Sequence, residues 1–436
     1  MAAVGNQLPR ELWETILDAV FDDLLLFETD PLRHFLTDRR ILSKWHTENS
    51  EDAFYRQRAT LRLVCHSWRD YVDSDGVKYR YTRLWDIHIY DEATIVQLSR
   101  ARRIAGPHYP TIIERNRRKP HLKDHGYQIS LDQRIMVELG LTLQSRLLGA
   151  RILSTCTARL SHLVIKESPE SFANLETLHL DLGFLFWPGP PLEMLDKITK
   201  NFRRLVFLWL ELGTRFTFMS SDVLELPHLR TLIITAGSLS GIPYEKWRLP
   251  NLRHLDLSRF GDAREVARFW KGVSAFGKQL EVVIVRVGHR PENLEGLSDI
   301  LTDCPNIKYL GAPLVNIVPW CPPSNHPLTT LVNTDDETLA FLDVGVGSGT
   351  DAIDMLIEFC TILANVTTIR ESHDWEAPEF DRFRGERSKE VVEGSLVTYQ
   401  DARLFQAADG LVKLAQRMKE LSIRFEDKHG RLFGEQ

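Results

Sequence analysis

The sequence predicts an α/β chain in which short parallel strands alternate with helices, behind a small helical region at the N-terminus. Three observations predict it. A seven-residue stretch with the core L-x-x-L-x-L recurs, as NLETLHL (174–180), HLRTLII (228–234) and NLRHLDL (251–257). Its copies return at intervals long enough for one strand and one helix. The segments between copies carry apolar residues three or four apart, the helical period.

The strands rest on the repeat itself. Looser copies are RLWDIHI (83–89), RLSHLVI (159–165), RLVFLWL (204–210), QLEVVIV (279–285), NIKYL (306–310), PLTTLV (327–332) and ELSIRF (420–425). The last two leucines of each copy sit two apart, as one face of a strand requires. Pro227, Pro250, Pro305 and Pro327 precede copies. Proline cannot donate to a ladder, so it marks where a strand begins. From Leu205 the anchors fall at Leu229, Leu252, Leu280, Ile307 and Leu328, which are 24, 23, 28, 27 and 21 residues apart. Such a period belongs to a solenoid whose units bury their apolar faces against their neighbours.

The helices rest on spacing. Leu192, Leu195, Ile198 and Phe202 recur three or four apart, as do Val266, Phe269, Val273 and Phe276, and Leu294, Leu297, Ile300 and Cys304. The expected product is a parallel sheet on the concave side with helices on the convex side.

The N-terminal region reads as two amphipathic helices. In LPRELWETILDAVFDD (8–23), Leu8, Leu12, Ile16, Leu17 and Val20 share one face, and Pro9 suits a first turn. In ATLRLVCHSWRDYVDS (59–74), Leu61, Val64, Cys65, Trp68 and Val72 do the same. Between them lie about 35 residues, Leu24 to Arg58, with the charged middle TDPLRHFLTDRR. This insertion reads as a loop or an extra helix pair.

The order of residue types is more specific than the amphipathicity. Leu8-Pro9-Arg10-Glu11-Leu12, then Ile16-Leu17, then Leu61-Arg62-Leu63-Val64-Cys65-His66-Ser67-Trp68-Arg69 resembles the F-box. The following copies resemble leucine-rich repeats, although the asparagine usual three residues after the third leucine is replaced by Gly183, Gly237 and Phe260. The resemblance implies a substrate-recognition subunit of an SCF-type ubiquitin ligase. An F-box-like domain over residues 1–76, with the insertion at 24–58, would dock on the Skp adaptor. A repeat solenoid over 77–436 would hold a substrate protein. Leu8, Pro9, Leu12, Ile16, Leu17, Val64, Cys65 and Trp68 would form or support the adaptor surface. A plain repeat scaffold without adaptor binding is the rival within the same fold.

Counted from the first leucine of each copy, the fourth and sixth residues point inward and the third, fifth and seventh face the concave side. Phe207, Trp209, Ile233 and Ile284 are apolar there, flanked by His179 and Asp256. Aromatics in the middle of such a face suit a protein ligand. Two other outcomes are a loop that covers the patch and a register slip of one residue, which would turn the set inward.

FLDVGVGSGTDA (341–352) resembles the first motif of S-adenosylmethionine-dependent methyltransferases, with Gly345, Gly347 and Gly349 at alternate positions and Glu371 after the next strand. Only 84 residues follow Ala352, too few for the strand–helix units such a domain needs. The loop therefore reads as a repeat turn, its helix capped by Ser348 or Thr350. No cofactor is expected and the chain reads as non-catalytic.

Composition sets the remaining bounds. The formal net charge of the 436 residues is -6, which does not suggest broad attraction to nucleic acid or membranes. Arg100 to Lys123 holds eight basic residues against Glu114. Without an aromatic platform it reads as a solvated insertion loop. The five cysteines (65, 156, 304, 321 and 360) form no CxxC pair and suit free thiols in a reducing compartment. Cys304, Cys321 and His326 are too scattered for a metal site. The start has no signal-peptide pattern, and no run reaches the ~18 apolar residues a membrane helix needs. A cytoplasmic or nuclear protein is expected.

Overall fold

A computed structural model describes residues 9–22, 25–35, 45, 48–78, 80–83, 101–105, 150–155, 173–182, 194–212, 223–235, 244–260, 272–273, 276–287, 300–312, 325–334, 361, 365–371, 412, 414–427 and 430–432. Leu8, the Gly345–Gly349 loop, Cys156, Cys321 and residues 106–123 of the basic stretch lie outside them.

The chain is α/β. Twelve strands form one sheet in sequence order: β1 (Tyr81–Arg83), β2 (Arg103–Ala105), β3 (Ile152–Thr155), β4 (Thr177–Leu182), β5 (Phe207–Leu212), β6 (Thr231–Thr235), β7 (His254–Phe260), β8 (Val282–Val287), β9 (Tyr309–Ala312), β10 (Thr330–Asn333), β11 (Thr368–Arg370) and β12 (Arg424–Glu426). Pairing is parallel from β1 to β5 and from β7 to β12. Sequential order with parallel pairing is the topology expected of strand–helix repeats.

Strands β4 to β10 each begin at the third residue of a copy, two after its first leucine. Those first leucines, Leu175, Leu205, Leu229, Leu252, Leu280, Ile307 and Leu328, are all fully buried. The second residue's carbonyl is the hinge between copies. Glu176 O accepts N–H groups from Val206 at 2.7 Å and Phe207 at 3.1 Å, and Glu281 O accepts them from Lys308 and Tyr309 at 2.8 and 3.1 Å. One carbonyl thus closes the start of the next strand, and register passes from copy to copy.

Asparagines do tie copies together, but from the position before the first buried apolar residue (Leu252, Ile307 and Val366) rather than after a third leucine. Asn251 Nδ2 donates to Pro227 O at 2.6 Å, Asn306 to Lys278 O at 2.6 Å and Asn365 to His326 O at 2.9 Å. Each bond ties a copy to the turn entering the previous one.

The chain divides into two compact units. One comprises residues 1–213, 221–232 and 248–251, the other 214–220, 233–247 and 252–436. The boundary expected at 76/77 therefore falls inside the first unit. In that unit, helices α1 (Arg10–Asp22), α2 (Glu48–Arg62), α3 (His66–Asp73) and α4 (Asp75–Lys78) precede the strands, and α5 (Met194–Asn201) lies between β4 and β5. Leu17, Phe21, Leu26, Phe27, Phe54, Leu61, Val72 and Val77 pack with Tyr81 and Ala105 in one cluster. Helix α5 buries Leu195 and Ile198, with Phe202 just beyond it, as their spacing predicts. In the second unit, Tyr244, Trp247 and Phe276 pack ring to ring, and α6 (Ile300–Asp303) buries Ile300 and Leu301.

Segment 59–74 is not one helix. It breaks at Leu63, Val64 and Cys65, where Leu63 N–H bonds Thr60 O and Val64 N–H bonds Leu61 O in tight i→i−3 turns. Cys65 is extended, with φ −161° and ψ 170°, and leads into α3.

Candidate functional site

Two surfaces correspond to the sites expected from the sequence. The first lies on the N-terminal helices. Pro9 O accepts N–H groups from Leu12 at 3.0 Å and Trp13 at 3.2 Å, so the helix is set from its first turn. The inner side of α1 places Leu17 and Phe21 in the core, whereas Pro9, Leu12 and Ile16 stay exposed. Trp13 meets Trp68 at 5.5 Å between ring centroids, joining α1 to α3. Asp18 takes the Tyr71 hydroxyl and the Arg80 guanidinium, a second tie between helices. Burial lowers Arg80 to about 10, with Arg102 adding to the effect, so it still carries its charge at neutral pH.

Among the described residues, apolar exposure is concentrated here. Among the described residues, the large exposed hydrophobic side chains are Leu12, Ile16, Tyr55, Leu63, Val64 and Leu421, and five of these six belong to the N-terminal helices or the turn after α2. Of the residues expected at an adaptor surface, Pro9, Leu12, Ile16, Val64 and Cys65 are exposed, Trp68 is half-buried against Trp13, and Leu17 is interior. The pattern missed Leu63, 82% exposed, because a continuous helix would have turned it away from Val64.

The second surface is the third- and fifth-position face of the strands. The expectation that its apolar members face water does not hold. Phe207, Ile233 and Ile284 are buried, as are His179 and Asp256, and Trp209 is half-buried. The inward leucines are buried too, so these strands are covered on both faces, as parallel strands usually are.

In the first unit the cover is the insertion. Its 3₁₀ turns, Leu25–Phe27 and Pro31–His34, and Trp45 lie against the strands. Leu26 O accepts from Arg103 Nη1 at 2.7 Å, Thr29 O accepts from the Thr177 hydroxyl, and Asp30 Oδ1 accepts from the Thr231 hydroxyl at 2.8 Å. The Trp45 ring lies 5.7 Å from that of Phe207 and 4.1 Å from the Arg103 guanidinium carbon, a cation–π contact. Burial lowers Arg103 to about 10 and raises Asp30 to about 6.

Also in this unit, His179 stacks on Trp209 at 4.2 Å. Its Nδ1 lies 3.1 Å from Ser154 Oγ and its Nε2 3.2 Å from Glu211 Oε1. Register explains the cluster, because Ser154, His179 and Trp209 are partners on β3, β4 and β5. Ser154 and His179 are buried, which fits a rigid side-chain network across three strands.

In the second unit, Asp256 takes Arg286 at 2.8 and 3.1 Å. His254 is buried and held neutral, its pKa lowered to about 3 by burial with a further push from Arg286. His326 spans two copies. Its Nε2 lies 3.2 Å from Cys304 O, and its Nδ1 accepts from the Leu328 N–H at 3.2 Å. Burial raises the Cys304 thiol to about 12, far from a reactive thiolate. Among the described residues, no group of three or more potential ligands could hold a metal ion, and no helix is long and apolar enough to cross a membrane.

No protein-family model matches the chain, and no curated protein does. Among solved structures, a structural-genomics crystal structure of a Bacteroides fragilis protein matches with a TM-score of 0.26 at 14% identity. The match covers 54% of this chain and 62% of that one.

Proposed function

We propose that the chain is the substrate-recognition subunit of an SCF-type ubiquitin ligase. Its N-terminal helices bind the Skp adaptor, and its repeats engage a target protein. The observation that carries this reading is the concentration of exposed apolar side chains at Leu12, Ile16, Leu63 and Val64. Large apolar groups left exposed on a packed helix pair support a protein-binding surface there. Three of the four, Leu12, Ile16 and Val64, were expected at an adaptor surface from the F-box resemblance. The reading assigns the chemistry of ubiquitin transfer to partner subunits, and this chain supplies positioning only.

With Phe207, Ile233 and Ile284 buried, a target would meet the repeats at other positions while these side chains stay covered. The seating of the insertion leaves the outward side of α1 and the turn 63–65 open. Co-purification of the intact chain with the Skp adaptor and a cullin tests the reading. A single complex of all three supports it, and a chain that elutes alone in excess adaptor overturns it in favour of a repeat scaffold.

A further inference from the structure

Residues 26 to 30 cross the first unit's strands in order. Leu26 O meets Arg103 on β2, Phe27 lines a small cavity with Ile152 of β3, Thr29 O meets Thr177 on β4, and Asp30 meets Thr231 on β6. Trp45 covers Phe207 on β5. Strands β2, β3, β4 and β6 therefore present their third-position residues to this strip, and β5 presents its own to Trp45. A short run laid across successive strands, accepting hydrogen bonds from their side chains, occupies the face as a bound peptide would.

The contacts along the strip differ in kind. Leu26 and Thr29 contribute neutral carbonyls, and Leu26, Phe27, Leu32, Phe35 and Trp45 contribute buried apolar groups. Asp30 alone buries a carboxylate, 4% exposed, against a neutral hydroxyl. A buried ionised group with a neutral partner is costly, so this is where the strip is weakest.

We propose that residues 25–35 with Trp45 are a built-in occupant of this face, an autoinhibitory strip that lifts from the Thr231–Asp30 bond and shields Thr177, Phe207 and Thr231 from partners while seated. The groups acting on Asp30 are Glu28 and Arg33 of the strip and Arg230 beside β6. Glu28, paired with Arg33 at 2.8 Å, pushes Asp30 further up, while Arg33, Arg230 and the Thr231 hydroxyl pull it down. Burial outweighs them and sets its value near 6. A lifted Asp30 in water would ionise near ~3.9. Rising pH between these values therefore favours lifting, by up to about 100-fold for two pKa units, and the effect levels off above the upper one. The proposal is independent of adaptor binding and is tested without it.

Hydrogen exchange of the intact chain, corrected for intrinsic rates, gives the test. The expected result is protection of amides 25–35 that falls 10- to 100-fold between pH 4.5 and 7.5 in the wild type and stays high at both pH values in Asp30→Asn. Trp45→Ala should lower protection of the strip while β7 to β10 remain protected. Equal, pH-independent protection in wild type and Asp30→Asn would overturn the proposal. So would a Trp45→Ala chain that loses protection throughout, because the strip would then be an ordinary part of the core.

Discussion

The hydroxyl of Thr231 donates to Asp30 Oδ1 at 2.8 Å across 201 residues of chain. It ties a segment between two N-terminal helices to the sixth strand of the sheet. The burial that makes the contact also raises the Asp30 carboxyl to about 6. Because the folded value lies above the unfolded one, this contribution to stability is present in full below about 4 and is lost as pH rises through 6. Asp30→Asn should flatten that part of the pH dependence while keeping an acceptor for Thr231. Urea unfolding at pH 4.5 and 7.5 reads it, with a smaller difference between the two pH values in the variant.

His254 slopes the other way. It is held neutral with a folded value near 3, below its unfolded value. Its contribution is present above about 6.5 and is lost as pH falls towards 3. His254→Gln should leave the chain less sensitive to acid between pH 6.5 and 4. Thermal melts over that range would show a shallower fall in Tm than in the wild type.

Trp45 is fully buried between Phe207 and Arg103. Trp45→Ala should cost the first unit about 3–5 kcal/mol, as truncation of a buried aromatic does. Denaturant unfolding measures it, and a cost below about 1 kcal/mol would show that the insertion contributes little to the first unit.

The displaced asparagine ladder is worth less per rung. Asn251→Ala removes the 2.6 Å bond to Pro227 O at an exposed site, and a loss of about 0.5–1.5 kcal/mol is expected by the same assay.

Much of the fold was legible because the repeat has a short period. Leu175, Leu205 and Leu229 fix strand starts by local spacing alone, and the sheet follows from repetition. The covering of both faces was also written in the strands, since FLWL, TLII and VVIV lack the polar alternation of a half-exposed strand. The asparagine rungs at 251, 306 and 365 stood one residue before Leu252, Ile307 and Val366, outside the expected position. The seat of the insertion was not legible. Thr29 and Asp30 find partners 148 and 201 residues away, and no local period encodes such a contact. The break at 63–65 was hidden because Leu61, Val64, Cys65 and Trp68 keep helical spacing across a turn that contains neither glycine nor proline.

On the proposed function, the exposed apolar side chains of the N-terminal helices bind the Skp adaptor. The most direct measurement is affinity capture of the intact chain by the adaptor, beside a Leu12→Asp/Ile16→Asp variant. Both side chains are exposed, so the variant should fold, with a stability change of about 0.5 kcal/mol or less per site. Capture of the wild type and its loss in the folded variant are expected. Equal capture of both, or capture of neither, would contradict the proposed function.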